Sequence, residues 1–243
     1  MTMMAVVPPD QNNLLAALPD DVKKRLFPYI DLVYMPMGTV IYEPGDEPNQ
    51  VYFPVDSIVS LLHVMENGSS AEIAVVGKEG VVGIPVILGG LSTTSRAVVH
   101  RAGWACLISS DQVCKEFNRL GKLHALMLRY TQSLLTQIAQ TAVCNRHHSI
   151  EQQVCRLMLL SLDRLSDNHL SMTQELMANM LGVRREGVTE AAGRLQKKGI
   201  IRYRRGDINV LDRRGLEQHC CECYAVVRNE TTRLLQDLPM SAN

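Results

Sequence analysis

Seven cysteines and seven histidines carry the most reactive side chains of the chain, and they are unevenly spread. The densest group is His219-Cys220-Cys221 with Cys223. Three thiolates and an imidazole are a donor set for tetrahedral zinc. Cys221 and Cys223, two residues apart on an expected helix, would not share a face. The sequence therefore favours buried structural cysteines, and no metal ligand is assigned. Cys144, His147, His148 and Cys155 read the same way, as packing and helix-end residues. A histidine pair near a helix C-terminus gains from the helix dipole without binding anything. The chemistry these groups would allow is thiol- or metal-dependent catalysis, or sensing of redox state or metal. GxSxG, HExxH, P-loop and Rossmann fingerprints are absent, so no catalytic residue is assigned and a non-enzyme is expected.

A second chemistry is electrostatic. Formal net charge is zero, yet residues 1–110 carry an acidic excess and residues 111–243 a basic one. Between Val183 and Arg205 stand eight Arg or Lys against Glu186 and Glu190. A local basic stripe binds phosphate whatever the total charge, because the field is screened within about 8–10 Å. Residues 173–195 supply its scaffold. Two short helical patterns flank Gly182, with Thr173 as N-cap or, two residues earlier, Ser171 with Gln174 as a capping box. Ala178 is small where two helices approach, and Met177, Leu181, Val183, Val188, Ala191 and Leu195 form the buried faces. This is helix-turn-helix packing. Two short strands around Arg205-Gly206-Asp207 follow, as in a winged helix. Arg185, Glu186, Thr189 and Glu190 then become candidate readers of DNA base edges, since Arg suits guanine and Glu can accept from cytosine. Thr173, Arg184, Arg194, Lys197, Lys198, Arg204 and Arg205 are candidate phosphate contacts.

The elements that must position these residues follow from the rest of the 243-residue chain. Apolar positions at three- to four-residue spacing predict helix over 14–30, broken by Pro19 and Pro28. From Asp31 to Ser109, β-branched runs alternate with turn signals every 8–12 residues, which predicts an antiparallel barrel or sandwich. Asn67-Gly68 is its clearest hairpin. Ser109 to Asp111 offers an N-cap for a short helix to Phe117. A long helix then carries Leu120, Leu123, Met127, Tyr130, Leu134, Ile138 and Ala142 on one stripe. His147-His148 and Ser149 interrupt it before a further helix from Ile150 to Leu165. Tyr130 to Val143 is poor in charge, which favours packing against the same helix of a second subunit. Leu123, Met127, Tyr130, Leu134 and Ile138 are the expected dimer interface. The fold class is α+β. The expected organisation is a sensor roll over 14–118, a dimerisation helix over 119–145, a winged helix over 146–220 and a C-terminal tail over 221–243. The apolar runs are too short to span a bilayer. With no basic residue ahead of the apolar patch in Met1 to Asn13, a cytoplasmic protein with reduced thiols is expected.

With its parts in this order, the chain resembles the Crp/Fnr superfamily of bacterial transcription regulators. The resemblance covers roughly Leu14 to Leu216. It rests on Tyr42-Glu43-Pro44-Gly45-Asp46, Val51-Tyr52-Phe53-Pro54-Val55 and Gly80-Val81-Val82-Gly83 in the roll, and on Arg185-Glu186-Gly187-Val188-Thr189-Glu190 in the DNA-reading helix. It implies a cyclic-nucleotide-binding-type β-roll, a dimer reading two half-sites of double-stranded DNA, and RNA polymerase as a partner. The departures are informative. The cAMP-binding members begin their phosphate cassette with Gly-Glu and continue to Arg-Ser. Here Gly83 precedes Ile84, and the later pair is Ser95-Arg96. A one-residue shift on a strand turns a side chain to the opposite face. Gly83, Ser95 and Arg96 remain the candidate effector residues, and loss of cAMP binding is expected. No cysteine precedes Cys106, so the N-terminal iron–sulfur motif of the family's oxygen sensors is missing.

Overall fold

The structure, a computed structural model, describes residues 8–165 and 167–236. The leader reading at Met1 to Asn13 falls largely outside them, as does the end of the expected tail. The chain divides into two units. One holds the described residues up to 59, 76–131 and 234–236; the other holds 60–75 and 132–233.

In the first unit, the expected helical stretch is divided at Pro19 into α1 (Asn13–Ala16) and α2 (Asp20–Leu26). Pro19 is the N-cap of α2, and Pro28 lies in the 3-10 turn that follows it. Asn12 is fully buried and fully used. Its Oδ1 accepts from the Leu14 and Leu15 amides, and its Nδ2 donates to the Pro54 and Gly80 carbonyls. Each buried polar atom thus has its partner, which removes the cost of its burial.

Seven strands follow: β1 (Asp31–Met35), β2 (Val40–Tyr42), β3 (Gln50–Pro54), β4 (Ile58–Val64), β5 (Ser70–Val76), β6 (Arg96–Arg101) and β7 (Gly103–Ser109). β1, β7 and β3 form an antiparallel sheet in that order, with Asp31 opposite Leu107 and Gln50 opposite Ser109. β2 pairs β6 with a register shift between Val40 and Tyr42. Val51, Phe53, Ile58, Val59, Val99, Ala105 and Ile108 fill the interior. The expected antiparallel architecture is present. α3 (Ile84–Ile87) interrupts it, and α4 (Ser110–Phe117) closes it, capped as expected by Ser109, whose Oγ accepts from the Gln112 amide.

The Asn67-Gly68 hairpin forms between β4 and β5, but not as a two-residue primed turn. Only Gly68 has a positive φ, +82°, whereas a primed turn of that kind needs both central residues there. The loop runs from Met65 to Ser69, closed by Met65 N–H to Ser69 O at 2.8 Å.

α5 (Lys122–His147) runs from the first unit into the second. Leu120 precedes it with φ +57° and is exposed, so it does not belong to the helical stripe. Leu123, Met127 and Tyr130 are buried within the single chain, with Tyr130 against Gly80. These three are therefore not available to a partner subunit, which corrects their assignment to a dimer interface. The 3.6-residue period identified an apolar stripe without revealing which surface covers it. The exposed large apolar residues of α5 are Leu128, Leu135 and Val143.

In the second unit, α6 (Ile150–Leu162) opens on a full capping box between Ser149 and Gln152 and ends three residues before the expected Leu165. β8 (His169–Ser171), α7 (Gln174–Leu181), α8 (Arg185–Lys197), β9 (Ile201–Arg204), β10 (Asp207–Val210), α9 (Arg213–Gln218) and α10 (Glu222–Gln236) follow. The stretch read as a C-terminal tail is thus largely a helix, with Tyr224 and Val227 buried. Arg213 bridges Asp163, and both groups meet the Tyr224 hydroxyl.

Glu72 is buried on β5, its carboxyl 2.6 Å from Ser60 Oγ. Burial pushes it up from 4.5 to about 7, with the Ser60 hydrogen bond and the charges of Arg156 and Arg164 only partly offsetting that. A folded-state value above the unfolded one means that the folded chain holds a proton the unfolded chain has lost. Glu72's contribution to stability therefore falls as pH rises from about 4.5 to about 7, then levels off, by about 3 kcal/mol in all. Urea titrations across this range should show that slope, and Glu72→Gln should flatten it and be the more stable form above pH 7. An unchanged slope in Glu72→Gln would place its origin elsewhere.

Candidate nucleic-acid interface

Thr173 is the N-cap of α7, its Oγ1 accepting from the Leu176 amide at 3.1 Å; Ser171 instead lies in β8. Gly182 ends α7 with φ +65° and ψ 32°, and the Val183 amide bonds back to the Ala178 carbonyl. A left-handed residue here lets the chain reverse at no Cβ cost. Met177, Ala178, Leu181, Val188, Ala191 and Leu195 are buried as the sequence pattern requires; Val183 is only half-buried. α8 lies so close to α6 that a Cβ on Gly187 would come within 2.5 Å of Ile150 Cδ1.

Arg184 is the N-cap of α8 and makes no capping hydrogen bond, and Arg185 is its first residue. Two guanidinium groups thus stand at the positive end of the helix dipole, where an isolated helix would prefer Ser or Asp. That local cost is offset when an anion lies across the helix start. Arg184, Arg185, Glu186, Thr189 and Glu190 are all exposed. Thr189 is less available than the sequence suggested. Its hydroxyl is 2.8 Å from Gln174 Oε1 and 3.0 Å from the Arg185 carbonyl.

Arg194 and Lys198, expected on phosphates, both hold Glu151 in the first turn of α6, at 2.6 and 3.0 Å. Chiefly through the Arg194 hydrogen bond, Glu151 is drawn below the usual carboxylate range. This pair clamps the far end of α8 to α6, a carboxylate partner that the reading of both cations as phosphate contacts did not include. Linear spacing could not reveal a partner more than forty residues away. Lys197 remains exposed.

The wing is β9 and β10 joined by Arg205 and Gly206, with φ +51° and +90°; Asp207 pairs Arg204 inside the ladder rather than sitting at the tip. Two consecutive left-handed residues make the tight primed turn favoured in two-residue hairpins. β8 adds a third strand, giving the order β8-β10-β9. Its presence was not read from the sequence, because three residues are too few for a periodic signal. On the exposed face stand Arg202 and Arg204, with Arg205 at the tip and His169, Asp207 and Asn209 beside them around a shallow depression. Arg202 was missed as a candidate, although the two-residue period of a strand puts it on the face of Arg204.

On the other face, Tyr203 ties the wing to both helices. Its hydroxyl accepts from the Gln174 amide at 3.1 Å, and its amide donates to Gln196 Oε1 at 2.8 Å. The chain Thr189–Gln174–Tyr203–Gln196 thus links the first helix, the second helix and the wing.

In the roll, the candidate effector residues have partners within their own unit. Gly83 caps α3 with φ +117°, and Ile84 beside it is buried. Ser95 is buried and 3.1 Å from Thr93 Oγ1. Burial pushes the neighbouring Tyr42 phenol up to about 12, a hydrogen bond to Ser95 acting against it. Arg96 grips Glu43 through two bonds of 2.7 and 2.8 Å.

The cysteines at the C-terminal end differ from the sequence reading. Cys221 precedes α10 and Cys223 falls in its first turn, so helix geometry does not force them apart. His219 turns its Nδ1 to the Gly215 carbonyl.

Residues 32–119 match the profile of the cyclic nucleotide-binding domain, and residues 152–219 match that of the Crp-like helix-turn-helix domain. Among solved structures, FixK2 from Bradyrhizobium japonicum is 16% identical with a TM-score of 0.66, over 79% of this chain and 98% of that one. The c-di-GMP responsive global regulator CLP of Xanthomonas campestris is 15% identical with a TM-score of 0.61, over 79% and 99%. A CRP/FNR-family transcriptional regulator from Thermus thermophilus is 21% identical with a TM-score of 0.61, over 78% and 97%. At these identities the likeness is one of fold. No curated protein matches the chain. No helix among the described residues is long and apolar enough to cross a membrane.

Proposed function

The chain belongs to the Crp/Fnr superfamily of DNA-binding transcription regulators, and from that premise we propose that it acts as a homodimer reading two DNA half-sites, with a sensor roll that does not bind cAMP. The observation that carries the reading is the exposed start of α8, where Arg184 and Arg185 sit at an uncapped helix end beside Glu186 and Glu190. In this reading Arg185 addresses a guanine, Glu186 and Glu190 face the neighbouring bases, and Thr189 offers its methyl. Arg184, Lys197, Arg202, Arg204 and Arg205 hold phosphates, with the Thr173 hydroxyl at the start of α7. RNA polymerase is the downstream partner in this reading. Its cytoplasmic setting is part of the same proposal.

Two features of the roll support the loss of cAMP binding. A buried isoleucine stands where a ribose-binding carboxylate would be needed, and the arginine that would meet the phosphate is held by Glu43. The test is selection of bound duplexes from a randomised pool, with calorimetry using cAMP and, separately, c-di-GMP. An enriched two-fold-symmetric motif and no heat with cAMP are expected. Enrichment of no sequence would overturn the DNA reading, and micromolar cAMP affinity the sensor reading.

A further inference from the structure

The end of α5 and the start of α10 bring four donor atoms together. Cys144 and His148 are one helical turn apart, and Cys221 and Cys223 flank the first residue of α10. Cys144 Sγ is 3.6 Å from Cys221 Sγ, and Cys223 Sγ is 3.6 Å from His148 Nδ1. All four donor atoms lie within 4.8 Å of one another. The three cysteines are buried and His148 is half-buried.

Tetrahedral zinc, with Zn–S of about 2.3 Å and Zn–N of about 2.0–2.1 Å, has donor–donor edges of roughly 3.8 Å between sulfurs and 3.5 Å from sulfur to nitrogen. The two short distances here already lie near those edges. A sulfur–sulfur separation of 3.6 Å is far beyond the ~2.05 Å of a disulfide, so the thiols are separate donors.

Apolar packing would explain the buried sulfurs. It does not explain an imidazole nitrogen turned onto a thiol with the opposite ring nitrogen 3.4 Å from the Glu222 carboxylate. A carboxylate on the far nitrogen is how metal-binding histidines are oriented and made more basic.

We propose that Cys144, His148, Cys221 and Cys223 form a structural zinc site that fastens the end of α5 to the start of α10. Thiolate-rich donor sets select zinc over magnesium, calcium or manganese. Four protein ligands leave no open position, which fits a structural rather than a catalytic ion. On binding, three thiols each lose a proton to solvent and the neutral imidazole keeps its Nε2 proton toward Glu222. Three thiolates and one Zn²⁺ leave one negative charge, opposite in sign to buried Arg156. The site stands independently of the DNA reading.

The test uses the full chain, purified under reductant from zinc-supplemented cells. Elemental analysis should give about one zinc per chain. Cobalt substitution should give the intense visible bands of a tetrahedral thiolate site. Competition with a chromophoric chelator should show Glu222→Gln weakening zinc by about 10–100-fold, and Cys223→Ser weakening it at least as much. Should Cys223→Ser fail to fold, the unmodified chain still decides: stripping with a chelator should lower its melting temperature, and zinc should restore it. A reduced, folded chain that carries no zinc and cannot compete with a micromolar chelator would overturn the proposal. So would stoichiometric iron or copper in zinc's place, or a native Cys144–Cys221 disulfide.

Discussion

Replacing Leu128 and Leu135 together with glutamate should leave the proposed dimer monomeric at micromolar concentration and weaken binding to a two-half-site duplex by about 10²–10⁴-fold, the range over which linked binding exceeds single binding. The cause lies on α5. Leu128 and Leu135 are 46% and 55% exposed, although the helix buries Leu123, Leu126, Met127 and Tyr130 at 3% or less. They stand seven residues apart, and Ala142 continues the series. A seven-residue apolar repeat is the seam of a paired-helix interface. Two recognition helices must be held about 34 Å apart to meet successive major grooves. Without the seam each half binds alone. Sedimentation gives the oligomeric state, and anisotropy on full and half operators gives the affinity. A double variant that stays dimeric would move the interface to another surface.

The second large effect is on specificity. Arg185→Ala should flatten the preference at one base pair of each half-site, by about 1–3 kcal/mol, because a bidentate arginine–guanine contact contributes that much discrimination. Arg204→Ala should instead weaken binding to every sequence and reduce the salt slope by about 1 per lost contact. The difference is positional. Arg185 opens α8, the part of a recognition helix that enters the groove, whereas Arg204 stands on the wing ladder opposite Asp207. Selection on randomised half-sites with both variants separates the two roles. If Arg185→Ala keeps the full base preference and loses affinity uniformly, Arg185 is a phosphate contact.

The helix-turn-helix was legible because its signals are local. Thr173, Ala178, Gly182 and Val188 each do in the fold what their type and spacing implied. The strand region was legible from turn spacing, and the end of α5 from His147 to Ser149. What could not be read involves partners far apart in the chain. Glu151 takes Arg194 and Lys198, Glu43 takes Arg96, and Cys144 meets Cys221 across 77 positions. Periodicity marks which residues share a face but not what lies against it, which is why Leu123, Met127 and Tyr130 were assigned to a partner subunit. The cysteine–histidine group was not assembled for the same reason: its two halves were each read alone, and linear spacing does not bring Cys144 and His148 to Cys221 and Cys223.

The wing turn has a mechanical consequence. Its loop is two residues long, both left-handed, and Tyr203 anchors the β9 strand to Gln174 and Gln196. Such a hairpin has almost no slack with which to reach a distant phosphate. When protein and duplex do not match in shape, the compliance has to come from the DNA. Bending a duplex costs an amount that depends on its sequence, least at flexible pyrimidine–purine steps. With the wing on phosphate, as proposed, such stiffness would make affinity depend on the bendability of the flanking base pairs, at positions that no side chain touches.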